Sequence, residues 1–236
     1  MNIAHDAAVL SRKRGMRHEV FVTGASGYIG RGLSQRLHAR GHGVRALVRR
    51  GSQSRLPPGP AVLFGDALNA DTYRDAVAPA DTFVHLVGTP HPSPAKARQF
   101  HDVDLVSIRA AVDAAVHARV QHFVYLSVAH PAPVMADYIA VRQTGEALVR
   151  ASGTAATFVR PWYVLGPGHR WPLAVLPVYW IMERLPATRE AATRLGLVTL
   201  EQLIGALVDA VEDPPREVRV LNVPDIRAAA LTRDRA

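Results

Sequence analysis

Residues 20–33 read VFVTGASGYIGRGL. An apolar strand, Glu19–Thr23, hands over through Gly24, Gly27 and Gly30 to a helical stretch, Tyr28–Arg40, that stops at Gly41. The spacing T-G-x-x-G-x-x-G gives each glycine a physical task. Gly24 suits the tight turn out of the strand, Gly27 lets the backbone approach a pyrophosphate, and Gly30 lets the helix lie close on the sheet. N–H groups and the positive end of the helix dipole then favour an anion, and Ser26, Tyr28 and Ile29 join the three glycines as candidate cofactor contacts. A glycine turn used only for packing is the alternative, and the strand before it and the helix after it favour the phosphate. Ser26 is not a nucleophile elbow, because Gly24 and Gly27 flank it at the wrong spacing for G-x-S-x-G.

Outward from this turn, strands and helices alternate. Strands are predicted at Val44–Val48, Ala61–Phe64, Thr82–Val87, Phe123–Leu126, Ala156–Val159 and Val218–Val223. Helices are predicted at Ala70–Val77, around Leu105, Ile108, Val112 and Val116, and at Met135–Ala151. A last helix opens on Thr199 with Gln202 in a capping-box pattern and carries Leu203, Ile204, Leu207, Val208 and Val211 on one face. The alternation implies an α/β fold, a doubly wound parallel sheet of Rossmann-like form. Residues 162–195 break the rhythm with Pro167, Pro172, Pro177 and Pro186, and residues 162–180 hold all three tryptophans. They are expected to form a small aromatic, proline-rich cap that covers the core, lines a substrate pocket, or both. One domain is expected over 1–236, with a loose basic arm at 1–17 and a poorly anchored tail at 225–236.

Composition narrows the function. With 236 residues, 48% of them hydrophobic, the chain can bury one sizeable core. No apolar run is long enough for a membrane span, and the start carries no signal-peptide pattern. The absence of cysteine excludes disulfides and thiolate chemistry, and a cytoplasmic location is expected. The net charge of +8 is an arginine excess, since only Lys13 and Lys96 are lysines. No long basic run with interleaved aromatics occurs, so nucleic acid is not the expected partner. His85, His91 and His101 lack metal-ligand spacing, and no metal is expected.

The end of the second strand bears on the ligand. An NAD-specific site places Asp or Glu there to hold the ribose hydroxyls. This chain has Arg49 and Arg50, whose guanidiniums suit a 2′-phosphate unless they are merely solvated loop charges. NADP(H) is therefore expected over NAD(H).

The glycine motif, Gly65-Asp66, Leu86-Val87-Gly88, Ser127, Tyr138 with Arg142, and the run Arg160 to Gly168 together resemble an atypical short-chain dehydrogenase/reductase. The likeness is to the NAD(P)H-binding, epimerase/dehydratase-like group and covers residues 18–223. It implies that Asp66 and Ala67 meet the adenine, that Val87 and Gly88 pass the cofactor ribose, and that Pro161, Tyr163 and Val164 lie near the nicotinamide. It further implies Tyr138 as acid/base, Ser127 polarising the substrate oxygen, and a lysine four residues beyond the tyrosine. Arg142 stands at that lysine position. Residues four apart share a helix face, and a nearby cation stabilises phenolate. On this view a lysine at 142 serves at least as well as the arginine. The expected reaction is hydride transfer to or from a carbonyl or alcohol carbon of a small apolar substrate. A non-catalytic NADP(H)-sensing or scaffold protein stands as the alternative.

Overall fold

A computed structural model describes residues 16–167 and 194–231. Seven parallel strands form one sheet: β1 (Glu19–Thr23), β2 (Gly43–Val48), β3 (Ala61–Phe64), β4 (Thr82–His85), β5 (His122–Leu126), β6 (Ala155–Val159) and β9 (Val218–Leu221). Their order is β3-β2-β1-β4-β5-β6-β9. Two short strands, β7 (Tyr163–Leu165) and β8 (Leu197–Thr199), pair separately in parallel. The helices are α1 (Tyr28–Ala39), α2 (Val106–His117), α3 (Ala136–Ala151), α4 (Leu200–Glu212) and α5 (Val223–Leu231). A π-helical turn, Phe100–Leu105, leads into α2.

The period of two in each strand divides the core between the sheet's faces. Val20 and Val22 join Val84, Val124 and Val159 beneath α1, α4 and α5. Phe21 points the other way. In register it stands beside Phe83, and Phe83 beside Phe123, with ring centroids 5.1 and 5.2 Å apart. Ile108, Ala111 and Val149 from α2 and α3 close over that aromatic row. Both faces are covered, as an all-parallel sheet requires. The chain winds outward from β1 in both directions, so the crevice between the carboxyl ends of β1 and β4 is the topological switch point.

Four expectations need correction. Residues 70–77 form two 3₁₀ turns, Ala70–Thr72 and Arg74–Ala76, instead of one helix. The Asn69 side chain accepts from Asp71 N–H, and the Thr72 hydroxyl donates to the Asn69 carbonyl at 2.7 Å, so side chains compete for the backbone groups a helix would pair. Two strands, β4 and β9, stop at His85 and Leu221, each two residues short of the expected ends at Val87 and Val223. The tail expected loose from residue 225 is α5 as far as Leu231: Val223 and Ile226 are fully buried, and Arg227 Nε donates to the Leu197 carbonyl at 2.9 Å. Pro224 is tolerated because it falls in the first helical turn, where no intrahelical N–H bond is lost. The capping box forms in full between Thr199 and Gln202. Most of the cap segment, residues 168–193, and most of the basic arm lie outside the described residues, as do residues 232–236. Among the described residues no helix is long and apolar enough to cross a membrane.

Candidate functional site

The turn after β1 is shaped by backbone contacts. Gly24 has φ +76°, and a Cβ there would stand 2.9 Å from the Leu86 carbonyl carbon. A Cβ on Gly30 would collide with the Gly24 carbonyl oxygen and with Ala25. Gly27 differs. A Cβ there would meet only the Gly24 oxygen, at 3.0 Å, and otherwise open space. Gly27 is also the N-cap of α1, yet no side chain caps the helix and no acidic residue stands in its first turn. The positive end of the α1 dipole therefore stands beside the open space at Gly27.

Behind the turn a buried polar network ties the strand ends together. Thr23 Oγ1 lies 2.8 Å from His85 Nδ1, and His85 Nε2 lies 3.3 Å from Ser107 Oγ. Burial, then the charge of Arg142, pushes the His85 pKa down to about 3, so the imidazole is neutral. Asp104 lies one turn before Ser107. Its Oδ2 accepts from Thr89 N at 3.0 Å and Thr89 Oγ1 at 2.6 Å, and its Oδ1 accepts from Arg142 Nη2 at 2.6 Å.

One stripe of α3 gathers candidate residues. Tyr138, Arg142 and Glu146 follow at intervals of four and share a face. Tyr138 is half-buried, its ring 5.0 Å from that of Phe100, in a depression that Pro94, Met135 and Ala136 also line. The Arg142 guanidinium carbon is 5.1 Å from the centre of the Tyr138 ring. Burial works against the Arg142 charge, but the oxygens of Tyr138, Tyr125 and Asp104 outweigh it and raise its pKa. Burial pushes Tyr125, whose ring centre is 5.7 Å from the guanidinium carbon, up to about 12. Glu146 is buried. It accepts the Ser127 hydroxyl at 2.7 Å and two bonds from Arg160, one of them from Nε at 2.8 Å.

The sequence pattern of a family described as NAD(P)H-binding matches residues 24–169. The chain belongs to the NAD(P)H-binding family. A ceramide reductase of Caulobacter vibrioides is 30% identical over 227 residues, 92% of this chain and 67% of that protein. A 4-hydroxy-2-methyl-3-oxo-4-farnesyl-3,4-dihydroquinoline-1-oxide ketoreductase of Stigmatella aurantiaca is 32% identical over 168 residues, 62% of this chain and half of that protein. The enzyme WbmH of Bordetella bronchiseptica, solved with NAD+, shares the fold with a TM-score of 0.65 at 19% identity, over 87% of this chain and 75% of that one. The expected likeness to epimerase/dehydratase-like short-chain dehydrogenase/reductases holds at the level of the fold, and the relatives matched by sequence are named as reductases.

The residues fit a dinucleotide. The uncapped α1 N-terminus and the opening beside Gly27 suit a pyrophosphate. Arg49 and Arg50 are exposed where β2 ends, with the Arg50 guanidinium 5.2 Å over the Phe64 ring. Asp66 is exposed at the end of β3 beside Ala67, and its Oδ1 accepts from Leu68 N–H. Val87 and Gly88 follow β4, against Arg142. Pro161 is buried, its carbonyl bonded to Ala129 N–H, while Tyr163 and Val164 pair in β7 with Leu197 and Val198. Ser26 and Ile29 sit in the glycine turn. The Tyr28 hydroxyl packs beside Gly166, where a Cβ would collide with it.

Asp104, His85, Thr89 and Glu146 were not singled out by motif. Two left a signal. Asp104 precedes Ile108 by one turn on an apolar stripe, and Glu146 lies between Ile139 and Val149 on the buried face of α3. A charge on an apolar stripe announces a buried partner.

Proposed function

We propose that the chain is an NADP(H)-dependent reductase that moves a hydride between the cofactor and a carbonyl or alcohol carbon of a small apolar substrate. The observation that carries the reading is Tyr138, half-exposed in a depression lined by Pro94, Phe100, Met135, Ala136 and Asp137, with a guanidinium behind its ring. The cofactor, when bound, supplies or accepts the hydride. The chain's own groups do the rest. The backbone of the glycine turn and the α1 N-terminus hold the pyrophosphate, Asp66 and Ala67 meet the adenine, and Arg49 and Arg50 grip the 2′-phosphate through charge-assisted bonds. Val87 and Gly88 pass the ribose, and Pro161, Tyr163 and Val164 wall the nicotinamide end.

Tyr138 gives or takes the proton at its phenol oxygen, in the depression that Phe100, Pro94, Met135 and Asp137 also line. Ser127 has a single hydroxyl proton, and Glu146 receives it. To polarise a substrate carbonyl, Ser127 turns that proton away from Glu146, whose two bonds from Arg160 keep the carboxylate satisfied. The ceramide and farnesyl-quinoline names of the two relatives support an apolar substrate.

Two contacts favour the second reading, an NADP(H)-sensing protein without turnover. The cation at the lysine position is neutralised by Asp104, and the serine is committed to Glu146. A screen of NADPH oxidation against long-chain ketones, quinones, enones and aldehydes separates the two. Steady turnover with one of them supports the reductase. NADPH binding with no turnover across the panel favours the sensor.

A further inference from the structure

Arg142 spans three segments. Nη2 donates to Asp104 on the π-helical turn at 2.6 Å, and Nη1 donates to the Leu126 carbonyl at the end of β5 at 3.0 Å and to the Val87 carbonyl after β4 at 3.4 Å. Asp104 completes the enclosure by holding Thr89 through both its N–H and its hydroxyl. Gly88 lies between these anchors. A Cβ on it would collide with Arg142 Nη2, so the loop rests directly on the guanidinium. Both charged side chains are almost wholly inaccessible to solvent, 5% and 0% exposed.

We infer that Asp104 and Arg142 are positioning residues that clamp the Val87–Thr89 loop for the cofactor, with Arg142 acting through the loop instead of touching the ribose. The inference rests on the cofactor site proposed above. It reverses the expectation that a lysine at 142 would serve as well. A planar fork delivers two nitrogens in fixed directions, one to the carboxylate and one to the carbonyls. An ammonium on a flexible stem is a single point and cannot hold both sides of the loop. The lysine would also leave part of the Asp104 charge unmatched in a dry site.

The test uses the full chain and its Arg142→Lys, Thr89→Val and Asp104→Asn variants. Three quantities are read: NADPH affinity by fluorescence titration, the melting temperature without cofactor, and amide hydrogen exchange at residues 88 and 89. Arg142→Lys is expected to stay folded, to exchange faster at these two amides, and to bind NADPH roughly tenfold or more weakly, the scale of one charge-assisted bond. Thr89→Val, which removes one hydroxyl bond to Asp104, should shift exchange and affinity the same way by less. It carries the test if Asp104→Asn does not fold. NADPH affinity in Arg142→Lys equal to or above that of the unmodified chain overturns the inference, as does unchanged exchange at Gly88 and Thr89. An unmodified chain that binds neither NADPH nor NADH overturns the cofactor site itself. The exchange data then decide separately whether the clamp exists.

Discussion

The Gly24 carbonyl oxygen occupies the place where a Cβ on Gly30 would have to stand, whereas Gly27 faces open space beyond that same oxygen. The two glycines therefore have different jobs. Gly30→Ala forces backbone apart and should cost roughly 1–3 kcal/mol more than Gly27→Ala in urea unfolding. Gly27→Val should remain folded and lose NADPH binding. Tight NADPH binding by Gly27→Val would place the pyrophosphate elsewhere.

Ser127 and Glu146 make a second separable pair, 2.7 Å apart and buried. Glu146→Gln leaves Arg160 without its carboxylate, and a buried pair broken on one side costs about 3–5 kcal/mol. The Arg160 side chain is 15% exposed, which places the expected loss near the lower end. Ser127→Ala should cost less, about 1.5–3 kcal/mol, one hydrogen bond to a charged acceptor. If Ser127 orients the substrate, its removal lowers kcat while the NADPH dissociation constant stays put. Equal kcat in Ser127→Ala would confine the serine to scaffolding.

Arg49 and Arg50 are exposed, so their contribution to binding is screened by salt. NADPH is expected to bind at least about tenfold more tightly than NADH in dilute buffer, with the ratio shrinking as salt rises. The Arg49→Ala, Arg50→Ala double variant should bring the two affinities together. Equal affinities in the unmodified chain would remove the 2′-phosphate assignment.

Stability should fall on the acid side of neutrality. Burial pushes His85 and His122 down to about 3, with the charges of Arg142 and Arg219 adding to the effect respectively. Both are bases with depressed values, so the unfolded chain takes up protons below about 6.5 that the folded chain refuses. Their contribution is whole above that pH and declines toward 3, at about 1.4 kcal/mol per unit for each histidine. Glu212 adds a lower limb. Burial opposes its charge, but hydrogen bonds from His42 and Arg40 prevail and hold it at about 2. Its contribution is present above about 4.5 and is lost as the pH falls toward 2. Urea unfolding at pH 7 and pH 5 should differ by roughly 4 kcal/mol. A flat profile over that interval would mean that these imidazoles reach water.

Sequence alone carried the strand–glycine–helix turn and the alternation that makes a parallel sheet, because those signals are local. The Thr199–Gln202 capping box was legible for the same reason, its partners being three residues apart. The helix expected at 70–77 failed where the Asn69 and Thr72 side chains take backbone groups, an outcome that periodicity does not register. The site was half legible. Tyr138 and Arg142 share a helix face in any helix, but the partners that set their state come from afar. Asp104 lies 38 residues before Arg142, and His85 lies 62 after Thr23. Only the folded sheet brings those strand ends together.

Hydride transfer is tested by following the hydride itself. NADPH carrying deuterium in both C4 positions is incubated with the ketone that gives fastest turnover, and the alcohol is examined by mass spectrometry. The account predicts one deuterium at the carbinol carbon, with formation of that product lost or greatly slowed in Tyr138→Phe while NADPH still binds. An unlabelled alcohol, or no alcohol from any ketone of the panel, would contradict it.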